Sequence, residues 1–291
     1  MINPCVSTAC GVRVFYMCAV ETYIVPEQLE GARLDRILAE MLPDSSLRLR
    51  RRFCDEGRAL VDGKNRKPGY KVRLGEQVDI SGGAVNMSSE QLGLSVVKQE
   101  GMFGAIYKPG GVHSAIIAGK DSPCAEASLP ELFPDSTPVL LNRLDHPTSG
   151  LLLVAMTPDG EKTYHEQEDA GQIKKFYLAT INGRLDGVVT IKNELDTDDR
   201  KKTRVLDEDV ADANRWTSIE TLAHDHDSDT STVRCLIMKG ARHQIRAHLA
   251  SIGHSIVGDS LYGDGAEGDV LRLHHERIEF PGFSASVEIP T

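Results

Sequence analysis

Apolar positions change rhythm several times along the chain. Between Arg33 and Leu42, the residues Leu34, Ile37, Leu38 and Met41 recur at three- and four-residue steps, which places them on one face of a helix. Pro43 and Asp44 end that helix. Ser45 or Ser46 caps a second helix that reaches Phe53, with Leu49 and Phe53 turned to a core and Gly57 as its stop. Short β-rich runs follow at residues 59–61, 71–74 and 77–80, separated by Asp62-Gly63 and Gly75-Glu76 turns. Residues 81–92 begin with a run of small and polar side chains that reads as a flexible linker. Further on, a strand over 105–108 runs into Pro109-Gly110-Gly111. Leu140 and Leu141 lead into a polar turn, and residues 151–154 lead out of it as an apolar run. Residues 173–183 alternate as a half-buried strand does. Ile245, Leu249 and Ile252 form a helical stripe that stops at Gly253. The pattern predicts an extension over 1–29, a small α+β domain over 30–80, a linker over 81–92 and a larger domain over 93–291.

Length permits that division, since 291 residues suffice for one large domain and one small one. No apolar run approaches the ~20 residues that span a bilayer. Met1 to Val20 is weakly apolar, but Arg13 interrupts it and no early basic cluster precedes it. It reads as a ragged extension or an edge strand, not a signal peptide. Cys5, Cys10, Cys18, Cys54, Cys124 and Cys235 are scattered with no Cys-x-x-Cys pair, so free thiols in a reducing cytosol are expected.

Charge changes the picture more. The net charge of −10 argues against a simple nucleic-acid binder. Yet from residue 31 to 80, Lys and Arg number 12 against 8 Asp and Glu, a local excess of +4. Arg48, Arg51 and Arg52 fall at i, i+3 and i+4 and so share a helix face. Lys64, Arg66 and Lys67 lie in the turns beside it. Such an island could track a phosphate backbone, or it could be a solvated face. Residues 186–230 carry 13 acids against 6 bases and are expected to face away from RNA. Within them, residues 224–229 contain His224, His226 and three aspartates; they read as a solvated hairpin tip, with no metal expected.

Two stretches carry candidate chemistry. In Asn142-Arg143-Leu144-Asp145-His146-Pro147-Thr148-Ser149-Gly150, one carboxylate sits beside Arg143 in a tight turn between strand-like runs. Such a turn can present a reactive acid rigidly, or Arg143 and Asp145 can merely tie a hairpin. In Gly240-Ala241-Arg242-His243-Gln244-Ile245-Arg246-Ala247-His248, Arg242 and Arg246 are four apart. His243 and His248 are five apart and diverge on a helix, which suits metal ligation poorly. Lys108 and His113, at the Pro-Gly-Gly turn, could touch phosphate. No dinucleotide or P-loop fingerprint occurs.

The segment 142–150 resembles the signature of the RluA family of RNA pseudouridine synthases, with Asn142 where that family usually has His. Residues 243–248 are similar to the family's His-Gln-Ile-Arg-x-His element, although Ala241 and Arg242 depart from its Gly-Arg-Thr lead. Lys175, Tyr177 and Ala179 match its Lys-x-Tyr-x-Ala strand. Residues 105–114 are similar to its Lys-Pro-x-Gly element and are expected to support the site; residues 258–263 and 271–274 are also similar, and are expected to be scaffold. Two helices followed by a basic turn and β-strands resemble the ribosomal-S-four-type RNA-binding domain.

The resemblance implies an α+β fold, with a large mixed or antiparallel sheet and flanking helices in the catalytic domain. It implies isomerisation of uridine to pseudouridine in structured RNA, ribosomal RNA favoured and transfer RNA second. Asp145 would be the nucleophile, Arg246 its partner and Tyr177 the residue packed on the flipped-out base. Arg48, Arg51, Arg52, Lys64, Arg66, Lys67, Arg143, Lys108 and Arg242 would bind RNA. No cofactor or metal is expected, and the protein is expected to be a cytoplasmic monomer. Two alternatives stand beside this one. The first is an RNA-binding or ribosome-associated protein without catalysis, hinted at by Asn142 and Ala241. The second is a hydrolase using Asp145 with His146 or His243, which lacks a matching nucleophile motif.

Overall fold

A computed structural model of the chain describes residues 21–43, 45–55, 57–80, 87–116, 122–199, 201–266 and 268–289. The expectations for Met1 to Val20, for its three cysteines, for Asp44 as a helix stop, for residues 81–86 and for the Leu49 side chain lie outside the described residues. Two compact units are present, one within residues 21–80 and one beginning at residue 87.

In the first unit, α1 (Leu34–Met41) buries Leu34, Ile37, Leu38 and Met41, as the spacing predicts. α2 (Leu47–Asp55) turns Phe53 and Cys54 inward. The strands β1 (Glu21–Ile24), β2 (Ala59–Val61), β3 (Lys64–Asn65) and β4 (Gln77–Ile80) form an antiparallel sheet in the order β1–β4–β2–β3. Residues 21–24, placed by sequence in an extension, are thus an edge strand paired along β4. Residues 71–74 do not form the expected strand. Lys71 makes an isolated bridge to Arg33, and Val72 exchanges backbone hydrogen bonds with Gly31 and Ala32. The segment runs beside the loop before α1, and among the described residues no strand pairs with it.

The second unit is built on a mixed ten-stranded sheet. Its strands are β5 (Ser95–Glu100), β6 (Phe103–Lys108), β7 (Val139–Leu140), β8 (Ser149–Ala155), β9 (Lys174–Asn182), β10 (Val188–Ile191), β13 (Thr217–Asp225), β14 (Thr230–Ile237), β15 (Leu273–Phe280) and β16 (Phe283–Ser286). They are ordered β10–β13–β14–β9–β15–β8–β6–β5, with β7 also on β8 and β16 also on β15. A separate hairpin pairs β11 (Asn193–Asp196) with β12 (Arg204–Asp209). The helices are α3 (Ala125–Leu132), α4 (Pro158–Asp169) and α5 (Gln244–Ser251). Thr157 caps α4 by accepting the Gly160 N–H, ahead of Pro158 at the first helical position.

β8 explains why its sequence is apolar without a break. Leu152 and Val154 join one core with Ile106, Tyr177 and Leu249; Leu151 and Leu153 join another with Phe103, Tyr164 and Phe280. A strand covered on both faces loses the polar alternation of a surface strand. β9 has one face more open, and its burial alternates as predicted. Residues 87–92, expected in the linker, belong to this unit: Leu92 is buried, and the Ser89 N–H and hydroxyl donate to Glu131.

β8 and β15 meet in parallel, Ser149 and Gly150 opposite His274 and His275. Gly150 has φ +116°, and a Cβ there would collide with the backbone of His275. The glycine is therefore required for the strand that leaves the aspartate turn to approach β15. Among the described residues, no helix is long and apolar enough to cross a membrane.

Candidate active site

The turn between β7 and β8 is held from three directions. The Leu144 N–H donates to Ser114 Oγ at 2.9 Å, and that hydroxyl donates back to the Leu144 carbonyl at 2.7 Å. The Gly111 N–H donates to the His146 carbonyl, and the Thr148 N–H to that of Asp145. Asn142 Oδ1 accepts the Leu153 N–H at 2.7 Å, so the residue standing where the resembling family has His ties the hairpin together. The Asp145 side chain is left 22% exposed, open enough to meet a substrate.

Lys108 belongs to this scaffold, which corrects the expectation that it touches phosphate. It is fully buried, and its ammonium donates to the carbonyls of Pro109 and Val112 at 2.8 Å and of His146 at 3.4 Å. Burial pulls it down to about 8, against the pull of Asp145 upward.

Two groups from the start of α5, distant in sequence, face Asp145. Arg246 Nη1 lies 3.2 Å from Oδ2, and His243 Nε2 lies 3.9 Å from Oδ1. Burial lowers the His243 pKa, outweighing the opposing effect of Asp145. His243 starts the helix in a left-handed conformation, φ +56°, which swings its ring toward the turn. Arg246 is only 6% exposed and is paired a second time: Nε and Nη2 donate to Asp259 at 2.8 Å each. Burial alone would pull the guanidinium down and push the Asp259 carboxyl up. Their pairing reverses both, and Asp259 ends below its usual value.

Tyr177 on β9 is buried. Burial, and secondarily Asp145, push its hydroxyl above the ordinary tyrosine range. Its ring stacks on His275 at 4.5 Å and 16°, so one face is already covered. His275 is buried and pushed down to about 3.

The sequence places Arg242, four residues before Arg246, among the RNA-binding residues. In the structure Arg242 precedes α5, and its guanidinium donates to the carbonyls of Thr197 and Asp199. It clasps the β11–β12 hairpin. Thr203 completes the clasp by donating to the Arg242 carbonyl at 2.9 Å, and its N–H donates to the Tyr262 hydroxyl at 2.7 Å. That hydroxyl is 3.1 Å from His243 Nδ1. Part of the acidic segment expected to face away from RNA therefore adjoins the groups around Asp145. Arg143, two residues before Asp145, is exposed.

In the first unit, Arg48, Lys64 and Lys67 are exposed. Arg66 lies over the Tyr70 ring at 4.8 Å. Arg51 Nε donates to the buried Asp35 at 3.1 Å while the side chain remains 51% exposed; Arg33 grips the same acid with two bonds. Arg52 is half-buried.

Asp259, Tyr262 and Ser114 were not singled out individually, although the runs that hold them, 105–114 and 258–263, read as support for the site. Each acts through a partner distant in sequence, and neither period nor spacing marks that. The two runs were the only signals, and neither names the side chain that does the holding.

Comparison with known proteins bears on this arrangement. A model of the S4 domain matches residues 32–78. A ribosomal large subunit pseudouridine synthase D of Xanthomonas campestris is 29% identical over 247 residues, covering 82% of this chain and 74% of the relative. One from Neisseria meningitidis serogroup A is 29% identical over 303 residues, covering 91% and 77%. Human RNA pseudouridylate synthase domain containing 1 shares the fold at TM-score 0.55 and 23% identity, over 72% of this chain and 85% of that one. None of these supports the alternative of a protein without catalysis. The family model for RNA pseudouridylate synthase matches residues 103–251, a span that holds Asp145, Tyr177 and Arg246, and the chain belongs to that family of enzymes that isomerise uridine to pseudouridine in RNA.

Proposed function

We propose that Asp145 is the nucleophile of this isomerisation and that the substrate is ribosomal RNA, with transfer RNA second. The observation that carries the reading is the pairing of Asp145 with Arg246 at 3.2 Å while the acid stays partly open. The buried guanidinium holds one oxygen of the acid in place, and the opening leaves the other able to attack. The reaction breaks the bond from ribose C1′ to uracil N1 and joins C1′ to C5. The C5 proton leaves and N1 gains one, so neither oxidant nor water is consumed.

The uridine must leave its stack, which costs a few kcal/mol. Tyr177 bounds the space for the base with the side of its ring that His275 does not cover, a narrower role than free stacking. Arg143, exposed beside the nucleophile, meets the adjacent backbone. Arg48, Arg51, Arg52, Lys64, Arg66 and Lys67 on the first unit supply sequence-independent phosphate contacts. The protein acts as a cytoplasmic monomer. The ribosomal assignment is supported by the names of the relatives above and by the S4 match.

The test is a pseudouridine map of total RNA from cells lacking this chain, complemented with wild-type protein or with Asp145→Ala. Wild type is expected to restore a site in large-subunit ribosomal RNA, and the variant none. A site restored only in transfer RNA would overturn the ribosomal assignment. A site restored by Asp145→Ala would overturn the nucleophile.

A further inference from the structure

The acid that shares Arg246 with Asp145 has no part in the reading above. Asp259 lies between α5 and β15, its side chain wholly removed from solvent. Its Oδ1 also accepts the N–H groups of Leu261 and Tyr262, at 2.9 and 3.1 Å, so the loop fixes the acid before the arginine meets it. Gly258 lets the chain turn there: its φ is +78°, and a Cβ would strike the Val270 carbonyl. A guanidinium is planar, with five N–H donors in fixed directions. Asp259 occupies the edge made by Nε and Nη2, so Asp145 is met by Nη1 alone. An unheld Arg246 could instead turn that two-donor edge on Asp145. A bidentate grip on the nucleophile would tie up both of its oxygens.

We propose that Asp259 is a positioning residue, which orients Arg246 so that Asp145 receives a single N–H and keeps Oδ1 for the nucleoside. The proposal rests on Asp145 being the nucleophile. It makes Arg246 a divided group, held by one acid and offered to another. It also gives residues 258–263 a mechanistic reason for their close packing. Asp259 acts only through Arg246 and touches no substrate.

The test uses the full chain and, as probe, total RNA tritiated at uracil C5 from cells lacking this protein. Tritium release is followed in single turnover at saturating enzyme, and RNA binding is measured separately. Asp259→Asn is expected to slow release on the order of 100-fold, as misplacement of a reacting group does, with Kd for RNA within about twofold. Arg246→Lys is also expected to be slow. The double variant should be no slower than Arg246→Lys alone, because both changes act on one interaction. A release rate for Asp259→Asn within about threefold of wild type, or losses that multiply in the double variant, would overturn the proposal. If Asp259→Asn does not fold, Asp259→Glu decides. It keeps the buried charge paired but moves the guanidinium, and is expected to lose about tenfold with its unfolding midpoint held; a wild-type rate would overturn the proposal. Asp145→Ala runs alongside. Release by that variant would remove the nucleophile reading itself, whereas a silent Asp145→Ala with a fast Asp259→Asn would remove the positioning role alone.

Discussion

Each unit contains a three-membered cluster of arginine and aspartate, and the two are built in opposite proportions. In the first unit one buried acid, Asp35, is shared by two arginines whose side chains are 48% and 51% exposed. In the second, one buried arginine, Arg246, is shared by two acids. The first cluster carries a surplus of positive charge and holds it toward solvent. The second carries a surplus of negative charge, on the one member that is partly open. The same pairing chemistry thus makes an anion-attracting surface in one place and a presented carboxylate in the other. Stoichiometry and burial decide which.

The comparison is broken most directly at Arg246. Arg246→Ala would strand Asp259 as a buried charge and leave Asp145 without its partner. The expected loss is roughly 3–5 kcal/mol of stability, as for other buried pairs cut on one side, read as a fall in the denaturation midpoint of the second unit. Arg33→Ala, at the half-exposed cluster, should shift the first unit far less. Equal shifts would show that burial does not separate the two clusters.

Acid should also tell the units apart. All ten histidines lie between residues 113 and 275, outside the first unit. His248, His274 and His275 are buried with lowered pKa values, His275 down to about 3. A histidine whose folded pKa lies below its unfolded value of about 6.5 leaves the unfolded chain with more protons between those two values. Stability of the second unit is therefore full above pH 6.5 and falls as pH drops toward 3, by up to a few kcal/mol for a group buried as His275 is. Asp35 is lowered by the Arg33 bond, so its contribution persists until pH falls below the ordinary aspartate value near 3.8. Denaturation midpoints of the two units between pH 7 and 4.5 should diverge, the second falling first. A parallel decline would contradict the assignment of these histidines as buried and neutral.

The smallest effect expected concerns the outward-facing charge. Neutralising Arg48 and Lys64 together should weaken RNA binding modestly for every sequence. It should flatten the log–log salt dependence by about 1 for each phosphate no longer neutralised, without changing the single-turnover rate. An unchanged slope would mean that these side chains meet no phosphate.

Much of this could be read from residue order. α1 and β9 were legible because a core face stamps its period on the chain, 3.6 for one and 2 for the other. The aspartate turn was legible through its flanking apolar runs and its glycine. Lys108 was not. A lysine at a strand end before Pro-Gly-Gly reads as surface, and its burial depends on carbonyls from Pro109, Val112 and the distant His146. Residues 71–74 were misjudged for a related reason, since strand propensity is realised only where a partner edge exists. The four-residue spacing of Arg242 and Arg246 did not show that Arg242 precedes the helix. The true start of α5 is set by His243, in a backbone conformation that composition does not announce.

The parallel seam between β8 and β15 has a further implication. Position 150 accommodates a hydrogen atom and nothing larger, so even alanine there should prise the two strands apart at Ser149–His274. The strand that emerges from the aspartate loop and the strand flanking Tyr177 would then lose their shared reference. Enzyme output should collapse although every chemically active side chain is still present.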